Sequence, residues 1–314
     1  MRLVFVMDPV STVLVDEDTS FALMLEAQKR GHRVDHCLVQ DVSLLDGRPV
    51  AQVRQATMKR DPAAPVTLGE WETVDLAEVD VVFIRKDPPF DEPYHWLTLI
   101  LEHLRGTTLV MNDPRGLRDA NEKLYACHFP ELMPRTRVDS DRHRIRAFVR
   151  EIGGKGVIKP VEGHGGEGIF LLSDDDPNFN AHVETVTKGG RRVAMIQSYI
   201  PEVRQGDKRI LLIGGEVVGA ILRVPRQDDL RSNIHVGGTV EHTELSEADQ
   251  RIVDGVHERL AADGLHFVGL DVIGGKLTEV NVTSPTGIQQ MTRLSGKDCE
   301  GQVLAWIEKK IEDQ

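Results

Sequence analysis

Three oxygen-bearing side chains, Asp271, Glu279 and Asn281, fall in a stretch of the chain where they can converge on a hard cation. Two β-rich runs flank Gly274-Gly275, which reads as a hairpin. Glu279 and Asn281 are two apart, so on a strand they share one face. A three-residue loop, Gly274-Gly275-Lys276, pairs position 273 with 277 and therefore sets Asp271 beside Glu279. A two-residue turn would put the two carboxylates on opposite faces. Three oxygen donors with two negative charges are the ligands Mg²⁺ takes, with phosphate oxygens completing its shell. The hairpin therefore predicts a Mg²⁺–nucleotide site. Carboxylates on a strand also commonly face water, and Asp and Asn near Gly-Gly are ordinary turn formers. The sequel Asn281-Val-Thr-Ser-Pro-Thr286 favours the first reading, because its hydroxyls suit a loop that grips an anionic substrate.

A second feature is Gly163-His-Gly-Gly-Glu-Gly168, which formally matches the dinucleotide fingerprint G-x-G-x-x-G. That fingerprint needs a helix straight after the loop. Ile169-Phe-Leu-Leu172 follows instead and reads as a strand, so the dinucleotide reading fails. No P-loop motif is present. A glycine-rich strand–loop–strand can lay backbone N–H groups over phosphates, or it can be a plain surface turn. Lys159 leaves the buried-looking run Gly156-Val-Ile-Lys-Pro160 just before this loop, placed as a point charge for phosphate. Lys123, in Asn121-Glu-Lys-Leu124, is a second candidate, although alone it would read as a solvated helix residue.

These residues need a scaffold. Strand-like runs at 3–7, 33–39, 79–84 and 107–111 alternate with helical patterns at 19–30 and 93–104, which implies a parallel α/β unit over 1–120. Residues 41–73 are polar, punctuated by Pro and Gly, and give no clear assignment. A strand (135–139) and a helix (141–152) come next. Strands follow near 157–160, 169–172, 193–197, 208–213 and 216–224, several split by glycine turns, so this half reads as α+β and largely antiparallel. Ser246-Glu-Ala-Asp249 opens a helix with a capping-box pattern, and a last helix spans about 298–311. The expected units are 1–120, 121–200 with the glycine loop, and 201–314 with the cation hairpin.

The 314 residues carry a net charge of −12, which argues against a general nucleic-acid binder. No apolar run reaches the ~18 residues that span a bilayer, and the N-terminus reads as a first strand, not a signal peptide. A cytoplasmic location without a membrane partner is the default expectation. Cys37, Cys127 and Cys299 are far apart and form no CxxC pair, so they read as buried or incidental thiols.

Taken together, the motifs resemble the bacterial glutathione synthetases of the ATP-grasp superfamily nearly end to end. The anchors are Val6-Met-Asp-Pro9, Ser20-Phe-Ala22, Arg85-Lys-Asp-Pro-Pro-Phe-Asp91, Asn121-Glu-Lys-Leu124, Gly206-Asp-Lys-Arg209, Phe267-Val-Gly-Leu-Asp271 and Leu277-Thr-Glu-Val-Asn-Val-Thr-Ser-Pro-Thr286. The resemblance implies a pre-ATP-grasp α/β domain followed by a two-subdomain ATP-grasp fold. It implies ATP-dependent ligation of γ-glutamylcysteine and glycine through an acyl phosphate, with Mg²⁺ or Mn²⁺, in a homotetramer. Lys123 and Lys159 would contact ATP phosphates, and Gly165 and Gly166 would close over the γ-phosphate. Gln197, Ser198, Tyr199 and Ile200 would form the linker at the adenine, and Asp207 would hold the ribose. Arg209, Arg223 and Arg231 would line the acyl-phosphate and peptide side. Asp271, Glu279 and Asn281 would hold the metal, and Arg85 and Ser284 would meet substrate.

Glu162, His164 and Glu167 depart from the family's usual loop residues, as does Ser232-Asn-Ile-His-Val-Gly-Gly238. The loop glycines remain, so lid closure and the reaction class are expected to survive these changes, and the rate of closure and its pH dependence are what the extra His and Glu leave open. Two rivals remain open on the sequence: another ATP-grasp ligase, of the glutamate or D-alanine type, and a non-catalytic ATP-binding regulator of the same fold.

Overall fold

The computed structural model describes residues 1–163, 165–226 and 238–313. His164, Arg231 and residues 232–237, named above, lie outside the described residues, so the expectations placed on them have no structural counterpart.

Three sheets follow one another along the chain. The first contains parallel strands in the order Arg33–Cys37, Arg2–Met7, Val81–Arg85 and Leu109–Met111. Leu3 to Met7 are all buried because helices cover both faces of the sheet, the usual condition of a parallel sheet. The unassigned region 41–73 proves to be β: Val42–Leu45 and Val66–Asp75 both pair antiparallel with the long strand Arg48–Met58. The N-terminal unit is thus a mixed sheet, parallel at its centre with an antiparallel extension.

The second sheet is antiparallel, in the order Phe170–Ser173, Lys155–Pro160, Ala194–Ser198 and Thr136–Asp139. It packs on the helices Arg142–Glu151 and Phe179–Val186 around a core of its own, centred on Phe148, Ile158, Phe179 and Ile196. The third sheet, also antiparallel, runs Thr239–His242, Glu216–Val224, Asp207–Ile213, Phe267–Ile273 and Lys276–Asn281. Its core is shared with the first sheet: Leu211 and Phe267 pack in one cluster with Phe5 and Phe83. The last helix, Cys299–Glu312, returns to the first helix, Thr19–Lys29, and Arg30 joins Glu308 at 2.8 Å.

The expected capping box is present, with Ser246 Oγ accepting from Asp249 N and Asp249 Oδ2 accepting from Ser246 N. The glycine loop connects two antiparallel strands, which agrees with excluding a dinucleotide fingerprint. Gly165, Gly166 and Gly168 hold φ of 66°, 81° and 70°, left-handed values that Cβ-bearing residues resist. Cys37 and Cys299 are buried, Cys127 is half-buried, and all three are free thiols.

Candidate active site between two antiparallel sheets

The cation hairpin reaches the expected arrangement by a different route. The loop has two residues, Gly274 and Gly275, with φ of 56° and 71°. Ile273 therefore pairs with Lys276, not with Leu277. A β-bulge corrects the face: Val272 pairs with Leu277 and Asp271 with Glu279, so Thr278 is the extra residue. The carboxylates end up opposite one another, and Gly269 faces Asn281. The bulge also has a use of its own. Thr278 Oγ1 donates to Asp271 O at 3.0 Å, and the Thr278 carbonyl accepts from Lys159 Nζ at 3.3 Å.

Lys159 comes from the second sheet and the hairpin from the third, so the pocket is the gap between them. Lys159 Nζ also meets Glu279 Oε1 at 3.1 Å, and Lys123 Nζ lies 3.8 Å from the same oxygen. Lys123 Nζ donates to Gly163 O at 2.7 Å, tying the glycine loop to the site. Both lysines are buried. Burial raises the Glu279 carboxyl, but the two ammonium groups outweigh it and hold the group below its ordinary range.

Next to them the strand register builds a second charge cluster. Asp207 pairs with Arg223 across one strand boundary, and Arg209 with Asp271 across the next. Arg209 grips Asp271 in a fork, Nε to Oδ1 at 2.5 Å and Nη2 to Oδ2 at 3.1 Å. Arg223 Nη2 bridges Asp207 at 2.6 Å and Asp271 at 3.0 Å. Burial raises the Asp271 carboxyl, yet the two guanidiniums win and hold it well below the carboxylate range. Asp207 goes the other way: burial pushes it up, Arg223 opposes, and the Asp271 charge adds to the rise.

The site fits a hard divalent cation, judged by its donors. Among the described residues no three His, Cys, Asp or Glu side chains form a metal cluster, so any further protein donor beside the two carboxylates is another kind of oxygen. Asn281 supplies one: its Nδ2 donates to Gly269 O at 3.3 Å, leaving the amide oxygen for a cation. Oxygen-only donors suit Mg²⁺ or Mn²⁺.

All of this opens into one cavity of about 880 Å³. Its wall carries Lys123, Lys159, Asp207, Arg209, Arg223, Asp271, Glu279 and Asn281. It also carries Gly165 and Gly166 of the loop, Gln197, Ser198, Tyr199 and Ile200 of the linker, and Arg85 and Ser284. Every described residue that the sequence named as a candidate for ATP, metal or substrate therefore lines one cavity. Beside the linker, Val157 and Leu171 follow Gln197 in adjacent strands and give that end an apolar wall suited to a flat ring. Arg85 lies toward the first sheet. It is 2% exposed, and its Nε donates to Ser20 Oγ at 2.9 Å and its Nη2 to Pro285 O at 3.0 Å. Ser284 Oγ reaches Arg85 O at 3.5 Å.

Of the departures from the family loop, Glu162 is bound to Arg192 at 2.6 Å on the surface, whereas Glu167 lines the cavity. Two functional neighbours escaped the sequence reading. Glu122 Oε1 accepts from Val282 N, Thr283 N and Thr283 Oγ1 at 3.0, 3.2 and 2.8 Å, fastening the loop after Asn281 to the segment of Lys123. Asn112 uses both ends of its amide: Nδ2 donates to Phe267 O and Val282 O, and Oδ1 accepts from His266 N and Phe267 N. Glu122 stood in the Asn-Glu-Lys motif, but nothing in its spacing points 160 residues downstream.

Comparison with known proteins gives the family and the fold. The family described as prokaryotic glutathione synthetase, N-terminal domain, matches residues 1–118, and the prokaryotic glutathione synthetase ATP-grasp domain matches residues 122–296. A glutathione synthetase of Gloeobacter violaceus is 48% identical over 313 residues, spanning 98% of this chain and 96% of its own. One of Vibrio parahaemolyticus is 41% identical and spans 100% of both chains. Among solved structures, D-cycloserine synthetase DcsG superposes with a TM-score of 0.66 at 18% identity, covering 98% of this chain and 99% of its own. A Chryseobacterium gregarium RiPP-associated ATP-grasp ligase, solved with ADP and a leader and core peptide, gives 0.67 at 14% identity, covering 100% and 98%. Those two likenesses speak for the ATP-grasp fold. With both domain profiles matched in order along the chain, this protein belongs to the prokaryotic glutathione synthetase family.

Proposed function

We propose that this ATP-dependent ligase joins γ-glutamylcysteine to glycine, giving glutathione, ADP and phosphate. The observation that carries the reading is the single cavity in which paired lysines, a carboxylate hairpin and a buried arginine meet. A carboxylate resists attack by an amine because it is anionic and resonance-stabilised. Transfer of the γ-phosphoryl group from ATP to the cysteinyl carboxylate forms an acyl phosphate. The free amine of glycine attacks its carbonyl, the C–N bond forms, and phosphate leaves with the carbonyl–oxygen bond electrons. Such chemistry is won by positioning and charge stabilisation.

In this reading Lys123 and Lys159 neutralise the phosphates, and the N–H groups around Gly165 and Gly166 cover them. Gln197 to Ile200 face the adenine, and Asp207 the ribose. Arg209 and Arg223, with Arg231, orient the carboxylate and stabilise charge on the acyl phosphate. Asp271, Glu279 and Asn281 would hold Mg²⁺ or Mn²⁺, which when bound screens the β- and γ-phosphoryl oxygens. Arg85 and Ser284 hold the dipeptide. The units 1–120, 121–200 and 201–314 contribute the dipeptide side, the lid and the metal side. A homotetramer in the cytoplasm completes the proposal, and sedimentation analysis tests the assembly.

Mass spectrometry of the product from ATP, γ-glutamylcysteine and glycine is the direct test. Lys159→Met and Glu279→Gln should each abolish ADP release with the fold intact. Near-normal turnover in either variant removes its assigned role.

A further inference from the structure

Two buried side chains on the cavity wall keep hydrogen-bonding groups that no protein atom satisfies. Arg85 uses Nε and Nη2, as described, but its Nη1 has no partner. Gln290 is 7% exposed, and its amide oxygen has no partner either. Leaving a buried polar group unpaired costs about 1–3 kcal/mol, and both residues line the one cavity, so the pair points to a ligand that takes up these groups.

The neighbouring glutamine shows what a structural role looks like here. Gln289 is also buried, but its Nε2 donates to Val15 O at 3.0 Å and Asp18 O at 2.7 Å, and its Oε1 accepts from Arg60 Nη1 at 3.0 Å. Successive helix positions are turned by about 100°, so Gln289 faces the loop before the first helix while Gln290 faces the cavity. The two unpaired groups are held in one frame. Arg85 is bonded to Ser20, and the adjacent Thr19 Oγ1 accepts from Gly287 N at 3.2 Å. Gly287 caps the helix Ile288–Ser295 that carries Gln290.

We propose that Gln290 determines specificity for the γ-glutamyl end of the dipeptide: its amide oxygen accepts a hydrogen bond from the α-ammonium group, and Arg85 Nη1 donates to the α-carboxylate. This rests on the ligase reading above. A group that carries a carboxylate and an ammonium on one carbon needs one donor and one acceptor held in a fixed relation; Arg85 Nη1 and Gln290 Oε1 offer one of each, whereas a third unpartnered group of the wall, Arg223 Nε, belongs to the charge cluster with Asp207 and Asp271. The γ-glutamyl end is also the end farthest along the dipeptide from the carboxylate to be phosphorylated. That matches Arg85, which ends a strand of the first sheet, whereas Lys159 is bonded to the hairpin and Lys123 to the glycine loop. The glycine amine is a poorer occupant, because it must be free to attack.

The test compares Gln290→Met, which keeps the shape and removes the amide, with the wild-type chain. KM for γ-glutamylcysteine should rise about tenfold, the value of one lost hydrogen bond. KM for ATP and for glycine should stay within about twofold. With N-glutarylcysteine, which keeps the carboxylate but lacks the amine, the two proteins should behave alike. Gln290→Glu, which restores an acceptor, should hold the dipeptide KM near the wild-type value. Should Gln290→Met fold poorly by circular dichroism, Gln290→Ala serves in its place. An unchanged dipeptide KM, an equal loss with the amine-free analogue, or a shift in the glycine KM instead would each overturn the assignment and leave the ligase reading standing. Absence of wild-type turnover on ATP, γ-glutamylcysteine and glycine would overturn the ligase reading and this assignment with it.

Discussion

Glu122→Ala removes one carboxylate that receives three hydrogen bonds from two consecutive residues. Hydrogen bonds to a charged acceptor are each worth about 1.5–3 kcal/mol, and they do not add fully when they share one oxygen. The site is half-buried, so water can replace part of the loss. A local destabilisation of about 2–4 kcal/mol follows for the segment Val282–Thr283. In hydrogen exchange this is an acceleration of about 30- to 1000-fold at those two amides. The amide of Val280 is an internal control, because it donates to the main-chain oxygen of Glu122 at 2.9 Å and keeps that partner in the variant.

Function should follow the same segment. Asn281 precedes it and Ser284 succeeds it, so freeing Val282 and Thr283 loosens the proposed metal donor and the proposed substrate contact together. ADP release should fall at least tenfold. Glu122→Gln keeps an oxygen in place and should recover most of the protection and turnover. Exchange mass spectrometry on the peptide covering 280–286 reads the first quantity and a coupled ADP assay the second. If exchange at 282 and 283 is unaltered in Glu122→Ala, or if the Gln and Ala variants are equally impaired, the carboxylate is not what fastens this loop.

Other outcomes can be stated from the same coordinates. Asn112→Ala strips partners from one buried and one half-buried amide N–H group and two carbonyls at the seam of the first and third sheets. It should cost about 2–4 kcal/mol, seen as a lowered thermal midpoint. Gly116→Ala would set a Cβ 2.1 Å from the Asp263 carbonyl oxygen, a backbone atom that cannot swing away, and the soluble yield and midpoint should both drop. Burial, with Lys310 adding, lowers the His266 pKa from 6.5 to about 4, while Asp113 opposes. A group that is neutral in the folded state stabilises it above pH 6.5, and that share is lost as pH falls from about 6.5 to 4. His266→Phe should flatten the acid limb of the stability curve in that window, measured by urea midpoints at successive pH values.

Much of the site could be read before any fold was known, and what could not has physical causes. Lys159, Asp271, Glu279 and Asn281 stand in β-rich runs whose period fixes the face, and Arg85 in a distinctive motif. The hairpin shows the limit. Its two-residue turn and the bulge at Thr278 are separate irregularities that cancel on the face of Asp271, so the correct pairing was deduced from an incorrect loop. Glycines report that a turn exists, not whether a strand beyond it carries an extra residue. The long hairpin over 48–75 failed differently. Arg48–Met58 does alternate buried and exposed residues over much of its length, but its partner Val66–Asp75 is mostly exposed and carries no apolar stripe to read. Glu122 and Gln290 are invisible for a third reason: the contacts of Glu122 and the role proposed for Gln290 exist only through residues far along the chain or through a cavity.

The charges of the site make one further argument about why it is built in pairs. Lys123, Lys159, Arg209 and Arg223 face Asp207, Asp271 and Glu279 in a space that is largely shut off from water. A buried unpaired charge costs several kcal/mol, so a pocket holding only cations for a polyphosphate, or only carboxylates for a metal, would strain the fold whenever it stood empty. Interleaving the two signs removes that cost, since each lysine and arginine neutralises the carboxylate that would take the cation. In the proposed reading the partners would exchange on binding: Lys123 and Lys159 would turn to phosphate oxygens, and Asp271 and Glu279 would be the groups left to hold a divalent cation. The same logic predicts an asymmetry. Glu279→Gln leaves Lys159 and Lys123 without their anion, so the empty protein should lose stability that ATP restores, and the thermal shift produced by ATP should be larger in the variant than in the wild-type chain. An equal shift in both proteins would mean that the lysines do not depend on Glu279 for their neutralisation, and the pairing argument would fail.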